Sequence, residues 1–252
     1  MTQRKARTKM GKLIAVCGSA GSGKTTFSVK FAETLYHRSH GKHSVIALFC
    51  DIVTPSIPVI FPNRKEEDLF SVGSVLSKTD FYADDVVSHM MMTKDRMNLG
   101  YLGYLSGENK NSFPEYKDVK AKNFLDVLCT ISDYVIVDCM TMPGGNVLTT
   151  SALEKADQTI SLMTPDLACM SYYMSQGKML AAEGYMRESD IKVINIPHAE
   201  LVSLASGTHP ADFLLPYSTA LTEQYLEGRL SDPLKDKKYL KIMNAIAERA
   251  VH

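Results

Sequence analysis

Short apolar runs alternate along the chain with longer stretches in which apolar residues recur every three or four positions. Leu13–Cys17 reads as a strand. Thr25–His37 sets Phe27, Phe31 and Leu35 at i, i+4 and i+8, one helix face, and Gly41 stands where such a helix stops. Ser44–Cys50 is a nearly continuous β-type run ending at Asp51, as expected of a strand buried on both faces of a parallel sheet. Pro55, Pro58 and Pro62 make 52–64 mostly loop. Leu69–Leu76 and Asp84–Met92 read as short helices, Met97–Leu102 as a weak strand, and the polar stretch Gly103–Pro114 as a loop. Val119–Ile131 is helical in spacing, and Tyr134–Val137 is the strongest β run, ending at Asp138. Thr159–Met163, Ile191–Ile196 and Phe213–Leu215 follow as strands. Asp166–Glu183, Thr219–Glu227 and Leu234–Ala250 follow as helices. This punctuation predicts an α/β fold: a doubly wound, mostly parallel sheet with helices on both faces, in three layers.

Length and composition narrow the picture. The chain has 252 residues, 45% hydrophobic and 22% charged, which excludes a disordered chain, a coiled coil and a collagen-like repeat. Neither a repeat nor a linker divides it, so 12–252 is expected to be a single domain behind a flexible basic tail, 1–11. The tail and Leu13–Cys17 together imitate a signal peptide, but five apolar residues are too few for one. No apolar run approaches the ~18 residues of a transmembrane helix. Lys and Arg total 28 and so do Asp and Glu, so DNA binding through surface lysines has no support from net charge. Cys17, Cys50, Cys129, Cys139 and Cys169 are scattered and form no CxxC. That fits a reduced, cytoplasmic compartment rather than a disulfide framework or zinc knuckle.

The candidate chemistry is concentrated at Gly18-Ser19-Ala20-Gly21-Ser22-Gly23-Lys24-Thr25, which matches G-x-x-x-x-G-K-[ST] between a predicted strand and a predicted helix. Glycines let such a loop turn its N–H groups onto phosphate oxygens, and the helix start beneath adds unsatisfied donors. Lys24 supplies a mobile charge for the β- and γ-phosphates, and the Thr25 hydroxyl is suited to Mg²⁺. Asp138 ends an apolar strand, the pattern of the carboxylate that binds Mg²⁺, often through water; the alternative is an ordinary strand-end acid. Asp51 also ends a buried strand, where open α/β sheets place ligands. It orients water or contacts Mg²⁺, or else caps its loop.

The succession Gly18–Thr26, Phe49-Cys50-Asp51, Asp133–Asp138 and Ala156-Asp157-Gln158-Thr159 resembles the MinD/ParA family of P-loop ATPases over nearly the whole chain. Ala156–Leu167 is similar to the segment that follows Walker B there, and Asp212–Leu230 to the late strand and loop. The resemblance implies a P-loop NTPase fold with ATP or ADP and Mg²⁺ as its ligands. Gly18, Ser19, Ala20, Gly21, Ser22, Gly23, Lys24, Thr25 and Thr26 would surround the phosphates. Thr25, Asp51 and Asp138 would serve the metal, and Lys24, Asp51 and Asp138 the hydrolysis. Asn195 matches the family's adenine-reading Asn, and Pro216 and Tyr217 lie where members close over the base. A nucleotide-dependent homodimer, an unidentified protein partner, and recruitment to a membrane or pole through that partner are implied as well.

The departures are specific. Ser19 stands where the family pattern K-G-G-x-G-K-[ST] has its signature lysine, which reaches the partner subunit's phosphates, and Ala20 replaces the next glycine. Phe49 replaces the first acid of D-x-D, and the glycines after Asp138 are displaced to Gly144-Gly145. Members lacking the lysine include the CpaE/TadZ-type pilus-assembly localisation proteins, the nearest branch. The expected function is a Mg·ATP-binding switch with slow or vestigial hydrolysis, a weak ATPase. The alternatives are an ATP-dependent small-molecule enzyme like dethiobiotin synthetase, and a scaffold that binds nucleotide without hydrolysing it. Three further signals read as structural. His37, His40 and His43 are surface residues rather than zinc ligands. Met90-Met91-Met92 belongs to a packed helix rather than an adaptable partner surface. Leu234–Ala250 is a terminal helix packed on the sheet rather than an interfacial membrane helix.

Overall fold

The structure, a computed structural model, describes residues 10–93, 95–207 and 211–252. Of the tail expected at 1–11, residues 1–9 therefore lie outside the described residues. Gly11 already belongs to the folded body: its amide donates to the Cys129 carbonyl (2.7 Å), and a Cβ there would lie 2.1 Å from the Ser132 carbonyl oxygen.

In chain order the elements are β1 (Lys12–Gly18), α1 (Lys24–Arg38), β2 (Val45–Phe49), α2 (Ile57–Ile60), α3 (Val72–Ser77), α4 (Ala83–Ser88), β3 (Met91–Thr93) and β4 (Arg96–Leu102). Then come α5 (Asp118–Ile131), β5 (Tyr134–Asp138), α6 (Val147–Lys155), β6 (Gln158–Met163), α7 (Leu167–Ala182), β7 (Ile191–Asn195), β8 (Phe213–Leu215), α8 (Thr219–Leu226) and α9 (Lys237–Val251). Eight strands form one sheet in the order β3-β4-β2-β5-β1-β6-β7-β8. Every neighbouring pair is parallel except β3 with β4. Alternate residues of β1 serve opposite cores. Ile14 and Val16 join Phe27, Phe31 and the inner face of α9, while Leu13 and Ala15 join Phe124, Leu128 and Leu148 of α5 and α6. These are the two outer layers that the sequence predicts. Among the described residues no helix is long and apolar enough to cross a membrane.

Three local expectations are corrected. Asp84–Met92 is not one helix: α4 stops at Ser88, and Met91 is buried in β3, which covers the edge of β4. Met91 and Met92 therefore lie on a strand and Met90 just before it, with Met91 buried and its two neighbours half-buried. The proline-rich stretch contains α2, with Pro58 in the first turn, where its missing N–H costs nothing, and with Ile57 and Ile60 buried. The helix α6 was not anticipated; it is capped by Asn146, whose side chain accepts the Thr149 amide (2.9 Å). The terminal helix begins at Lys237 and buries Tyr239, Met243, Ile246 and Ala250, the packed reading of that segment.

A buried ionic group joins this framework to the chain's end. Glu33 on α1 pairs with Lys30 (3.1 Å) and with Arg96 of β4 (2.7 Å). Lys30 also donates to the carbonyls of Leu230 (2.7 Å) and Asp232 (2.6 Å), and Arg96 to that of Ser231 (2.5 Å). Burial still pushes the Glu33 carboxyl up and the Lys30 amine down, so desolvation outweighs the pairing. Glu33→Ala would leave Lys30 without an anionic partner and Arg96 with only the exposed Asp95 carboxylate. It is expected to lower unfolding free energy by about 3–5 kcal/mol, read from the urea midpoint at constant slope.

Candidate functional site

The motif loop joins β1, the fourth strand from the β8 edge, to α1. Gly18 has φ 155°, and a Cβ there would lie 2.2 Å from the Leu162 carbonyl oxygen, so only glycine lets the loop leave β1 against the end of β6. Gly23, at φ 81°, precedes α1; a Cβ there would lie 2.6 Å from Asn195 Nδ2. Between them Ala20 and Gly21 form an exposed crown, while Ser19 and Ser22 are buried. Ser22 Oγ donates to the Ser19 carbonyl (2.9 Å). The side chain at Ser19, where the resembling family has its lysine, is a buried hydroxyl with no protein partner among the described residues.

Lys24 curls back under this crown. Its Nζ donates to the carbonyls of Gly18 (3.2 Å) and Ser19 (2.9 Å) and to Thr141 Oγ1 (2.9 Å). Burial lowers its pKa, and the charge of Asp138 acts in the opposite sense. Thr25 Oγ1 donates to Asp138 Oδ2 (2.6 Å), tying the first turn of α1 to the end of β5. Asp138 is 3% exposed; desolvation raises its pKa to about 6 against the Thr25 hydrogen bond and the Lys24 charge. Its Oδ1 is buried without a well-formed hydrogen bond among the described residues, although the Ser28 hydroxyl interacts with this carboxyl and favours its charged form. The Thr25 hydroxyl and the Asp138 carboxylate are hard oxygen donors of the kind Mg²⁺ and its waters take. No cluster of three or more His, Cys, Asp or Glu side chains suited to a metal occurs among the described residues. The fit is therefore to an ion that also takes ligands from water and phosphate.

The remaining sequence candidates divide. Asp51 stands two residues past β2 at the same edge, but its Oδ1 accepts the amides of Val53 (2.8 Å) and Thr54 (2.8 Å), the loop-cap arrangement. Asn195 ends β7 and gives its Nδ2 to the Ser22 carbonyl (2.8 Å). Pro216 and Tyr217 follow β8 at the same edge, half-buried, just before Ser218 caps α8. Thr26 is half-buried in the first turn of α1.

The sequence reading missed Thr141 and Tyr172. Thr141 Oγ1 holds Lys24 while its carbonyl accepts the Tyr172 hydroxyl (2.9 Å), linking the loop after β5 to α7. Neither residue carries a local pattern, since their partners lie far away in sequence. The scattered cysteines also regroup. Cys17, Cys139 and Cys50 stand at matching positions on three adjacent strands, with Cys139 N bonded to the Val16 carbonyl and Cys50 N to that of Asp138. All remain free thiols. Burial pushes Cys17 up to about 12 and raises Cys50 and Cys139 as well, so they are protonated packing groups at neutral pH.

No protein-family model matches the sequence, and no curated protein matches it. Solved structures do match in fold. The cell division ATPase MinD of Pyrococcus furiosus superposes with TM-score 0.68 at 20% identity, over 95% of this chain and 98% of that one. MinD of Pyrococcus horikoshii, complexed with Mg-ADP, gives 0.66 at 18% identity, over 95% of each chain. A putative plasmid partition protein of Borrelia burgdorferi, bound to AMPPNP, gives 0.69 at 17% identity, over 95% and 98%. The chain thus has the fold of MinD- and ParA-type nucleotide-binding ATPases, over about 95% of its length.

The Asp138 shift has a sign that can be measured. Its ordinary value is 3.8 and its folded value about 6, so between those limits the native state binds more protons than the unfolded chain. Stability contributed at low pH is lost as pH rises through that window, roughly 3 kcal/mol in all. Asp138→Asn, which can still accept from Thr25, is therefore expected to be more stable than the parent at pH 7.5 without nucleotide. The gain should shrink as pH approaches 4. Denaturant midpoints at the two pH values check this, and an equal gain at both would contradict it.

Proposed function

We propose that this chain binds Mg·ATP at Gly18–Thr25 and acts as a nucleotide-controlled switch with slow or vestigial hydrolysis, in positioning, partitioning or assembly. The observation that carries the reading is the joint placement of Lys24, Thr25 and buried Asp138 under the glycine-rich turn. Lys24 and the loop amides would bind the β- and γ-phosphates, which carry the charge that a buried amine favours. Thr25 and Asp138 would hold Mg²⁺, Asp138 through its Oδ1. The metal would neutralise phosphate charge. Pro216, Tyr217 and Asn195 stand at the same sheet edge, on the side where the base would extend. MinD with Mg-ADP and a partition protein with AMPPNP, at comparable TM-scores, favour an adenine nucleotide.

The output is assigned to the surface beside the loop after β5. Leu167 and Met174 on α7 are 81% and 77% exposed, and Met142 and Met170 are also exposed. Within α7 the single charged side chain is Lys178. An apolar face of this kind, tied through Tyr172 to Thr141 and Lys24, suits self-association or partner docking controlled by nucleotide. A scaffold that binds nucleotide without turnover is the second reading. It is favoured by the capped Asp51 and by Ser19, which offers no charge to a partner's phosphates.

Sedimentation of the protein alone, with ADP and with Mg·ATP, together with phosphate release from the same samples, separates the two. A dimer specific to Mg·ATP supports the switch; a nucleotide-bound monomer releasing no phosphate supports the scaffold. Lys24→Ala is expected to weaken ATP binding at least a hundredfold, read by titration calorimetry. Unchanged affinity would sink both readings.

A further inference from the structure

We infer that Asn195 is a positioning residue for the phosphate loop, so that it governs affinity for the polyphosphate itself. The inference rests on the nucleotide-binding reading above. It departs from the adenine-reading role that the resemblance implies for this residue.

The contact is buried. Asn195 is 7% exposed and Ser22 is fully buried, with Nδ2 2.8 Å from the Ser22 carbonyl oxygen. A carbonyl oxygen only accepts, so the amide group turned toward it must be the NH₂. The chemistry thus fixes the carboxamide's orientation. The approach is possible only because residue 23 is glycine: a Cβ there would lie 2.6 Å from the same nitrogen. The left-handed conformation of Gly23, φ 81°, and the reach of Asn195 are therefore two halves of one arrangement.

Planarity carries the effect into the loop. In a trans peptide the C=O and the following N–H point in opposite directions. Holding the Ser22 carbonyl toward β7 therefore directs the Gly23 N–H away from β7. Aimed amides are what allow such a loop to cradle an anion, because each N–H pre-set in direction needs no reordering on binding. The other pins of the loop are Gly18 against the Leu162 carbonyl, Lys24 Nζ on the Gly18 and Ser19 carbonyls, and the Ser22 hydroxyl and amide on the Ser19 carbonyl; none of them takes the Ser22 carbonyl. The Ser22–Gly23 peptide, the last before the motif lysine, is held by Asn195. Reading a purine bidentately would need Nδ2 as well as Oδ1. The NH₂ has two hydrogens, and the one given to the Ser22 carbonyl is committed, so only the second would be open to a base.

The test compares ATP, GTP and inorganic tripolyphosphate, each with Mg²⁺, binding to the parent, Asn195→Ala and Asn195→Ser; neither short side chain spans the gap to Ser22. All three ligands are expected to weaken by a similar factor, roughly tenfold, the scale of one buried hydrogen bond. A loss confined to ATP, with tripolyphosphate unchanged, would overturn the inference and restore base reading. So would no change for any ligand. Hydrogen exchange on the ligand-free proteins gives a second readout. The amides of residues 19–25 are expected to exchange faster in both variants while those of β1 and β6 hold. Unaltered loop exchange would refute the pinning even if the parent bound no nucleotide, an outcome that by itself would count against the proposed function instead. If Asn195→Ala fails to fold, Asn195→Ser carries both measurements.

Discussion

The hydrogen bond from Thr25 to Asp138 joins the first turn of α1 to the end of β5, and most of the site's geometry follows from it. It seats a carboxylate in a buried position with one oxygen engaged and the other without a well-formed hydrogen bond among the described residues. Lys24, one residue earlier, is brought beside that charge and is itself largely desolvated. Neither charge would be tolerated there alone. Side by side, and with the loop's carbonyls folded onto the ammonium, they are held at the cost of shifted pKa values rather than of a distorted sheet. The parallel pairing of β1 with β5 and β6 makes this possible, because it ends three strands at one edge and opens them toward the same turn.

The ionic group of Lys30, Glu33 and Arg96 serves α1 from its other side. Carbonyls 230–232, between α8 and α9, are bound to cations rooted in α1 and β4. The helix that carries Lys24 and Thr25 is thus braced at both ends of its buried face: by Asp138 at the first turn and by the chain's last loop farther along. On the opposite side of the sheet Thr141 and Tyr172 connect the lysine to α7. A displacement of the Lys24 ammonium breaks a hydrogen bond to the loop after β5, and that loop is bonded in turn to a helix whose outer surface is apolar.

Much of this was legible in the sequence where the signal was local. β1, the glycine turn and α1 form an uninterrupted pattern, and Tyr134–Asp138 reads as a strand with an acid at its end. The elements that escaped depend on distant context. The first turns of α6 carry Val147, Thr149, Thr150 and Ser151, which have little helix preference, and the helix starts because Asn146 caps it and Leu148 and Ala152 find a core. Met91–Thr93 is a strand only because β4 presents an open edge. Thr141 stands 117 residues from Lys24, and Asn195 stands 173 residues from Ser22, so no spacing rule connects them. For Asn195 the resemblance singled out the residue, while its hydrogen-bond partner became visible only once the fold was in place.

The three hydrogen bonds of Lys24 have a thermodynamic consequence for any anion that enters the turn. An ammonium has three N–H donors, and two carbonyls and one hydroxyl already accept from it. Binding there is consequently an exchange of acceptors and not a simple gain. A ligand profits only to the extent that its oxygens outbid those of Gly18, Ser19 and Thr141 for the same protons. A single weakly charged oxyanion offers little surplus in that exchange. A chain of phosphates, which engages loop amides and ammonium together, offers much more. Under the proposed function, the curled lysine would thereby favour a polyphosphate over a small anion.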